Sequence, residues 1–412
     1  MKVRIEEPVA KSGALPHNGG MKIVQVGFWI FLSAVIGTPV TSFAGWKAGV
    51  ATVKVTPQKM VWMAGYAARM KPAERVEQEL FGKVLLLEGE KGNRVFIMTT
   101  DLIGVPRWLR DGLLERANKK WGTRPEGLLI NASHTHSGPE LRSPKLAYSG
   151  IPEERLKLGR EYSACLEETL FSAMEAAVKD LSDARIQYVR SRCGFAMNRR
   201  TPRATGWANF PNPEGPVDHD VPVLKVLDAE GKTLRAVMFG YACHNTTLGF
   251  YYFTGDYAGY AQEYFERDHP EVTAMFMMGC GGDQNPYPRR SLDLAKRHGQ
   301  SLATAVEAAL ETTPIPIEGE LKSAFADVLI DYAKQPSREA LQERLKDKNR
   351  YESAYAQRLM DHLDKNGSLP KSYPCPVQVI RFGKAVKFVA IGGEVVVDYS
   401  LRLKKELGGN VW

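Results

Sequence analysis

The chain has 412 residues and a net charge of +8, with 44% apolar and 25% charged residues, ordinary proportions for a globular protein with enough length to bury a sizeable core. The positive charge is spread along the sequence instead of gathered in a Lys/Arg tract with interleaved aromatics, which argues against a nucleic-acid partner. Five cysteines, an odd number with no CxxC spacing, imply no full disulfide framework.

From Met21 the chain reads "MKIVQVGFWIFLSAVIGTPVTSFAG". A basic start, an apolar stretch and a small-residue ending at Ser42-Phe43-Ala44 predict a secretory signal peptide over 21–44, preceded by an upstream extension. The product would be secreted or periplasmic. The alternative is an uncleaved membrane anchor, although the apolar run is short for a span.

After the signal, "WKAGVATVKVTP" alternates like a strand, and two further apolar runs flank the turn "GEKGN". Residues 153–182 place apolar and charged positions at helical spacing. So do residues 336–364, which are strongly charged and read either as a solvated helical pair or as a lid over a site.

One pattern recurs. "RVFIMTTD" ends in Asp101, "GLLINASHTH" in His134 and His136, and "LRAVMFGYACH" in His244. "TAMFMMGCGGDQNP" delivers Asp283 and Asn285, and "VKFVAIGGEVVVDY" passes through Gly392-Gly393 to Glu394. Each is an apolar strand candidate carrying a polar or metal-competent residue at its C-terminal end, where ligand sites form in helix-covered sheets. The expected fold class is α/β, a mixed β-sheet core flanked by helices, with a metal site at the C-terminal ends of strands. Asp101 and Asp283 are assigned to substrate contact.

Of the eight histidines, His17 precedes the expected signal, His269, His298 and His362 sit among charged residues and are expected on the surface, and His219 precedes a strand. His134, His136 and His244 remain. Each alone suits a satisfied core histidine, but as a set with Glu394 they suit catalytic zinc, which takes three protein ligands and leaves room for water. "GCGGDQNP" lacks the GK[ST] of a phosphate loop.

The elements "NASHTHSGP", "CHNTT…TGDYAGYA", "GGDQNP" and "AGVATVKVTP…MAGYAAR" resemble the neutral/alkaline (non-lysosomal) ceramidases, from about Gly45 onward. The resemblance implies a secreted Zn2+ amidohydrolase that cleaves the N-acyl bond of ceramide or a related lipid, with a transient membrane-surface contact. It assigns zinc to His134, His244 and Glu394, carbonyl assistance to His136, and a substrate-side contact to Arg199. Asn285 stands where the family carries a serine, which favours attack by zinc-activated water. The family's tyrosine ligand and immunoglobulin-like domain would lie beyond Trp412, so residues 45–412 are expected to be a truncated zinc hydrolase domain. Hydrolysis of another amide or an ester, or an inactive binding protein of the same fold, are the rival functions.

Overall fold

The apolar runs become strands covered on both faces, which is why so many lack a polar side. The computed structural model describes residues 45–142 and 151–412, so the expected signal peptide lies outside the described residues. In chain order the elements begin with β1 (Trp46–Lys54), β2 (Arg75–Val76), β3 (Phe81–Gly89), β4 (Arg94–Thr100), α1 (Arg107–Trp121), β5 (Leu128–Ala132) and α2 (Glu153–Lys179). They continue with β6 (Ser182–Arg192), β7 (Ala196–Pro202), β8 (Trp207–Asn212), β9 (Asp220–Leu227), β10 (Leu234–Tyr241), β11 (Tyr252–Phe253), α3 (Asp256–Asp268), β12 (Thr273–Met278), β13 (Gln284–Pro286) and α4 (Leu292–Leu310). The remainder holds β14 (Ile315–Pro316), β15 (Leu321–Asp331), α5 (Arg338–Arg344), α6 (Arg350–Asn366), β16 (Ser372–Phe382), β17 (Val386–Ile391) and α7 (Val397–Leu407). No helix among the described residues is long and apolar enough to cross a membrane.

The fold is α/β with a mixed sheet. Nine strands run in the order β12-β10-β9-β6-β1-β3-β4-β5, with β14 beside β6. The outermost pairs, β10–β12 and β4–β5, are parallel, and those between them are antiparallel. One side chain ties the two ends of this order together. Asn131, in β5, donates from Nδ2 to the Met278 carbonyl at 3.1 Å and accepts from Met278 N–H at 2.8 Å. The sheet therefore curves back on itself, and the C-terminal ends of β5, β10 and β12 come together.

The inner face of the curved sheet packs against a second sheet, β15-β16-β17, in one cluster that includes Leu85, Ile97, Met238, Met275, Ile380 and Phe388. The outer face is covered in two places: α1 and α2 pack over β3 and β4, and α3 and α4 over β9, β10 and β12. In α2 the buried positions Leu166, Leu170, Phe171, Met174 and Ala177 recur at i, i+4, i+5, i+8 and i+11, the apolar stripe of a core-facing helix.

The charged stretch 336–364 folds as two exposed helices, α5 and α6, capped at their N-termini by Ser337 and Asn349 side chains. The pair touches the loop before β2, since Arg350 donates to the Ala67 carbonyl at 3.2 Å. His298 corrects an expectation. It is buried in α4, stacked on Phe195 at 4.5 Å, with Nε2 2.7 Å from the Pro288 carbonyl. Its charged neighbours Lys296 and Arg297 lie off the stripe formed by Ala295, His298, Leu302 and Val306, so helical phase outweighs local composition.

Candidate active site

His134 follows β5 in a left-handed backbone conformation (φ 60°), and His244 follows β10. Each Nδ1 faces a carbonyl oxygen: His134 meets Ile103 O at 2.6 Å and His244 meets Gly281 O at 2.6 Å. A carbonyl can only accept, so both Nδ1 atoms carry the proton and both Nε2 atoms present a lone pair. His136 joins them, with Nε2 3.3 Å from His134 Nε2. One ring nitrogen from each of the three histidines falls within a 4.8 Å cluster, the kind of donor set that could hold a metal ion. Burial pushes the His134 pKa down to about 4 and that of His136 well below its usual value, so both rings are neutral at neutral pH.

Glu394 reaches this cluster from the second sheet. It lies just past β17, with carboxylate oxygens 3.3 Å from His244 Nε2 and 3.7 Å from His134 Nε2. The close approach of His244, aided by the other two rings, holds its carboxyl down to about 2 against the opposing effect of burial. Two glycines admit it. Gly393 turns at φ +108°, and a Cβ on Gly282 would press on the backbone carbonyl of Glu394. Gly282 N–H instead donates to Val395 O at 2.8 Å.

Arg199, in β7, is buried beside the histidines. Its Nη2 donates to Gly282 O at 2.7 Å and lies 3.1 Å from His244 Nε2, while Nη1 is 3.3 Å from Asn285 Oδ1. Among the described residues its Nε has no partner, and neither has His136 Nδ1, which lies on the Gly65 side of its ring. Asn285, in β13, also accepts from the Thr246 hydroxyl at 3.1 Å and reaches Asn209 of β8 at 3.3 Å. A cavity of about 650 Å³ opens beside His134, His244 and Glu394, with Leu129, Met277 and Phe388 among its apolar walls.

The six residues expected to hold metal or do chemistry are thus gathered. The two expected to touch substrate are not. Asp101 is buried, its Oδ2 taking the Phe81 N–H at 2.9 Å, and burial raises its pKa. Asp283 spends Oδ1 on Val397 N–H at 2.9 Å, at the first turn of α7, and its carbonyl accepts from Arg199 N–H. Neither lines the cavity. Their carboxylates fix backbone that carries the site.

Other residues belong to the site without a signal of their own. Gly65 (φ +99°) leaves space that the His136 ring fills, with ring carbon Cγ only 2.5 Å from where a Cβ would stand. Tyr66 then packs on that ring at 5.0 Å, and buried Arg69 donates to His136 O at 2.6 Å. Asn245, next to His244, donates to Ser133 O at 2.6 Å and accepts from Ala258 N–H at 3.2 Å, joining the two histidine loops to α3. "MAGYAAR" and "CHNTT…TGDYAGYA" contain these residues, but only their spatial meeting reveals the work they do.

The model of the family described as "Neutral/alkaline non-lysosomal ceramidase, N-terminal" matches residues 46–289. The chain belongs to this family. The matched span holds His134, His136, Arg199, His244 and Asn285 and ends before Glu394. The neutral ceramidase of Drosophila pseudoobscura pseudoobscura is 24% identical over 263 residues, which cover 60% of this chain and 36% of that protein. That of Drosophila melanogaster is 23% identical over 239 residues, 55% of this chain and 33% of the relative. The chain spans about a third of the length of the curated relatives it matches. Neutral ceramidase from Pseudomonas aeruginosa shares the fold at a TM-score of 0.68 and 19% identity, over 89% of this chain and 66% of that one. A structure described as ceramidase complexed with C2 aligns at 0.68 and 18% identity, over 88% and 65%.

Proposed function

We propose that this ceramidase-family chain is a secreted, zinc-dependent amidohydrolase that cleaves the N-acyl amide bond of a ceramide-like lipid. The observation that carries this reading is the pair of Nδ1-to-carbonyl bonds that turns the Nε2 atoms of His134 and His244 toward each other and toward Glu394. Two imidazoles and a carboxylate suit a catalytic zinc, and acceptors behind each ring are its usual outer support. The residues present therefore fit the ion: His134, His244 and Glu394 would hold it. When bound, Zn2+ supplies a Lewis acid and lowers the pKa of water toward neutrality.

The chain's own residues have distinct tasks. The deprotonated Glu394 and the neutral His134 need lose no proton at neutral pH before they ligate. His136 and Arg199, which lie against the two ligating histidines, would stabilise the oxygen that gains negative charge as the amide is attacked. One such positioned donor is typically worth about 3 kcal/mol of barrier. Asn285 is no nucleophile, because its amide nitrogen lone pair is delocalised; its carbonyl orients Arg199 and Thr246 while its Nδ2 donates to Asn209 Oδ1 and the Tyr287 hydroxyl, at 3.3 and 3.4 Å. Water is then the attacking group and no acyl-enzyme forms. The names of the matched relatives support ceramide as the substrate class, and the sequence over 21–44 supports secretion.

The test is hydrolysis of an N-acylsphingosine beside its O-acyl ester isostere. Release of fatty acid from the amide supports the reading. Turnover of the ester alone would move the chain to the esterases.

A further inference from the structure

The small sheet β13-β7-β8 carries a feature that the chemistry above does not use. β7 and β8 meet at a turn closed by a 3.0 Å hydrogen bond from Arg203 N–H to Gly206 O, and β8 is the edge of that sheet. On β8, Trp207 is 67% exposed and Phe210 60%. Two aromatics this exposed on the short edge strand of one hairpin call for a covering partner.

The hairpin is also cationic. Residues 196–212 contain Arg199, Arg200 and Arg203 and no Asp or Glu. The Arg203 guanidinium lies 5.8 Å from the Phe210 ring. Arg289, just beyond β13, sits 5.5 Å from the Tyr287 ring, and Arg200 and Arg289 both press electrostatically on buried Arg199. The hairpin reaches the site through Asn209, whose Oδ1 lies 3.3 Å from Asn285 Nδ2.

We propose that the β7–β8 hairpin docks the protein on an anionic lipid surface, with Trp207 and Phe210 entering the interface and Arg200, Arg203 and Arg289 meeting lipid phosphates. This rests on the reading of the site as one for an N-acyl lipid. A lipid surface fits better than a protein because the patch pairs interfacial aromatics with uncompensated arginines. Trp is at home at headgroup level, and basic residues near an anionic leaflet strengthen attachment. Neither signal suffices alone, since a lone apolar anchor binds only marginally. Docked this way, the hairpin would hold Asn285 and the cleft beside the bilayer from which the substrate must come.

The test uses the full chain and substrate-free vesicles, of phosphatidylcholine alone or mixed with phosphatidylglycerol, in a co-sedimentation assay. Wild type should bind the mixed vesicles, less so as salt is raised. Trp207→Ser with Phe210→Ser should weaken binding ~10-fold or more, and Arg203→Glu should do so by a similar factor on the anionic vesicles alone. Trp207→Phe provides a variant that keeps its fold and its binding but loses the blue shift of tryptophan emission seen with wild type on vesicles. Equal binding by wild type and the double variant, or no binding by wild type, overturns the proposal. Self-association lost in the double variant without vesicle binding would assign the patch to a second copy. The two readings fail separately. Vesicle binding without amide hydrolysis removes the enzyme and keeps the docking surface, whereas hydrolysis of a dissolved short-chain substrate without vesicle binding does the reverse.

Discussion

Gly282→Ala should disable the site without unfolding the protein. A Cβ at this position would press on the Glu394 carbonyl oxygen, with its carbon and the Val395 oxygen both at 2.9 Å. Ordinary contact begins near 3.4 Å, so this backbone must retreat by at least 0.5 Å, the difference between the two. Backbone cannot swing aside as a flexible side chain does, and the 2.8 Å bond from Gly282 N–H to Val395 O resists the movement. Glu394 follows its own backbone, drawing its carboxylate from His244. Disturbing a residue that orients a ligand typically costs ~10- to 100-fold in metal affinity, about 1.4–2.7 kcal/mol. Zinc affinity is measured by competition with a chromophoric chelator, with thermal unfolding as the check on fold. In a Glu394→Ala background the same substitution should add almost nothing, because the residue through which it acts is gone. Wild-type zinc affinity in Gly282→Ala, or a full additional loss in the Glu394→Ala background, would refute this coupling.

His244→Ala should lower zinc affinity by more than ~100-fold, beyond the range of outer-shell partners, whereas His136→Ala should keep the ion and lose turnover; parallel metal analysis and kinetics separate the two. Asn285→Ala should slow turnover ~10- to 1000-fold, the scale of one positioned donor, and an acylated protein trapped by mass spectrometry would contradict attack by water. At Asp218 burial pushes the carboxyl up, but Lys404 Nζ at 2.7 Å and the Ser400 hydroxyl at 2.6 Å hold it below its usual value. A depressed carboxyl lends stability above its unfolded pKa of about 4 and loses it as pH falls through the folded one. Lys404→Met leaves only the Ser400 hydroxyl and the Asp220 N–H against burial and should move the acid-unfolding midpoint to higher pH; coincident midpoints would remove Asp218 from the acid limb.

The frame was legible because buried strands leave continuous apolar runs, and the residues that follow them do gather. His134 and His244 lie 110 positions apart, yet both follow strands whose ends meet. What brings them together was not legible. Asn131 reads as one polar residue in "LINASH", but its amide bonds both backbone groups of Met278 and joins the first and last strands of the sheet order. The approach of Glu394 to Gly282, and of His136 to Gly65, are contacts between segments distant in sequence. A glycine pattern announces that space is needed without naming what fills it. At Asp101 and Asp283 a carboxylate after a strand reads as a ligand contact, and the structure adds that each gives one oxygen to a backbone N–H. His298 looked exposed among Lys296 and Arg297, although the 3.6-residue period puts it on the buried side.

The central claim is that His134, His244 and Glu394 hold a zinc ion on which amide hydrolysis depends. The direct measurement is metal content and fatty-acid release from an N-acylsphingosine on one purified sample, before chelation, after it, and after Zn2+ is restored. About one zinc per chain is expected, with hydrolysis lost on chelation and recovered with the ion, and with neither in His244→Ala. Hydrolysis that survives complete removal of metal would contradict the claim, as would a His244→Ala protein that keeps its zinc.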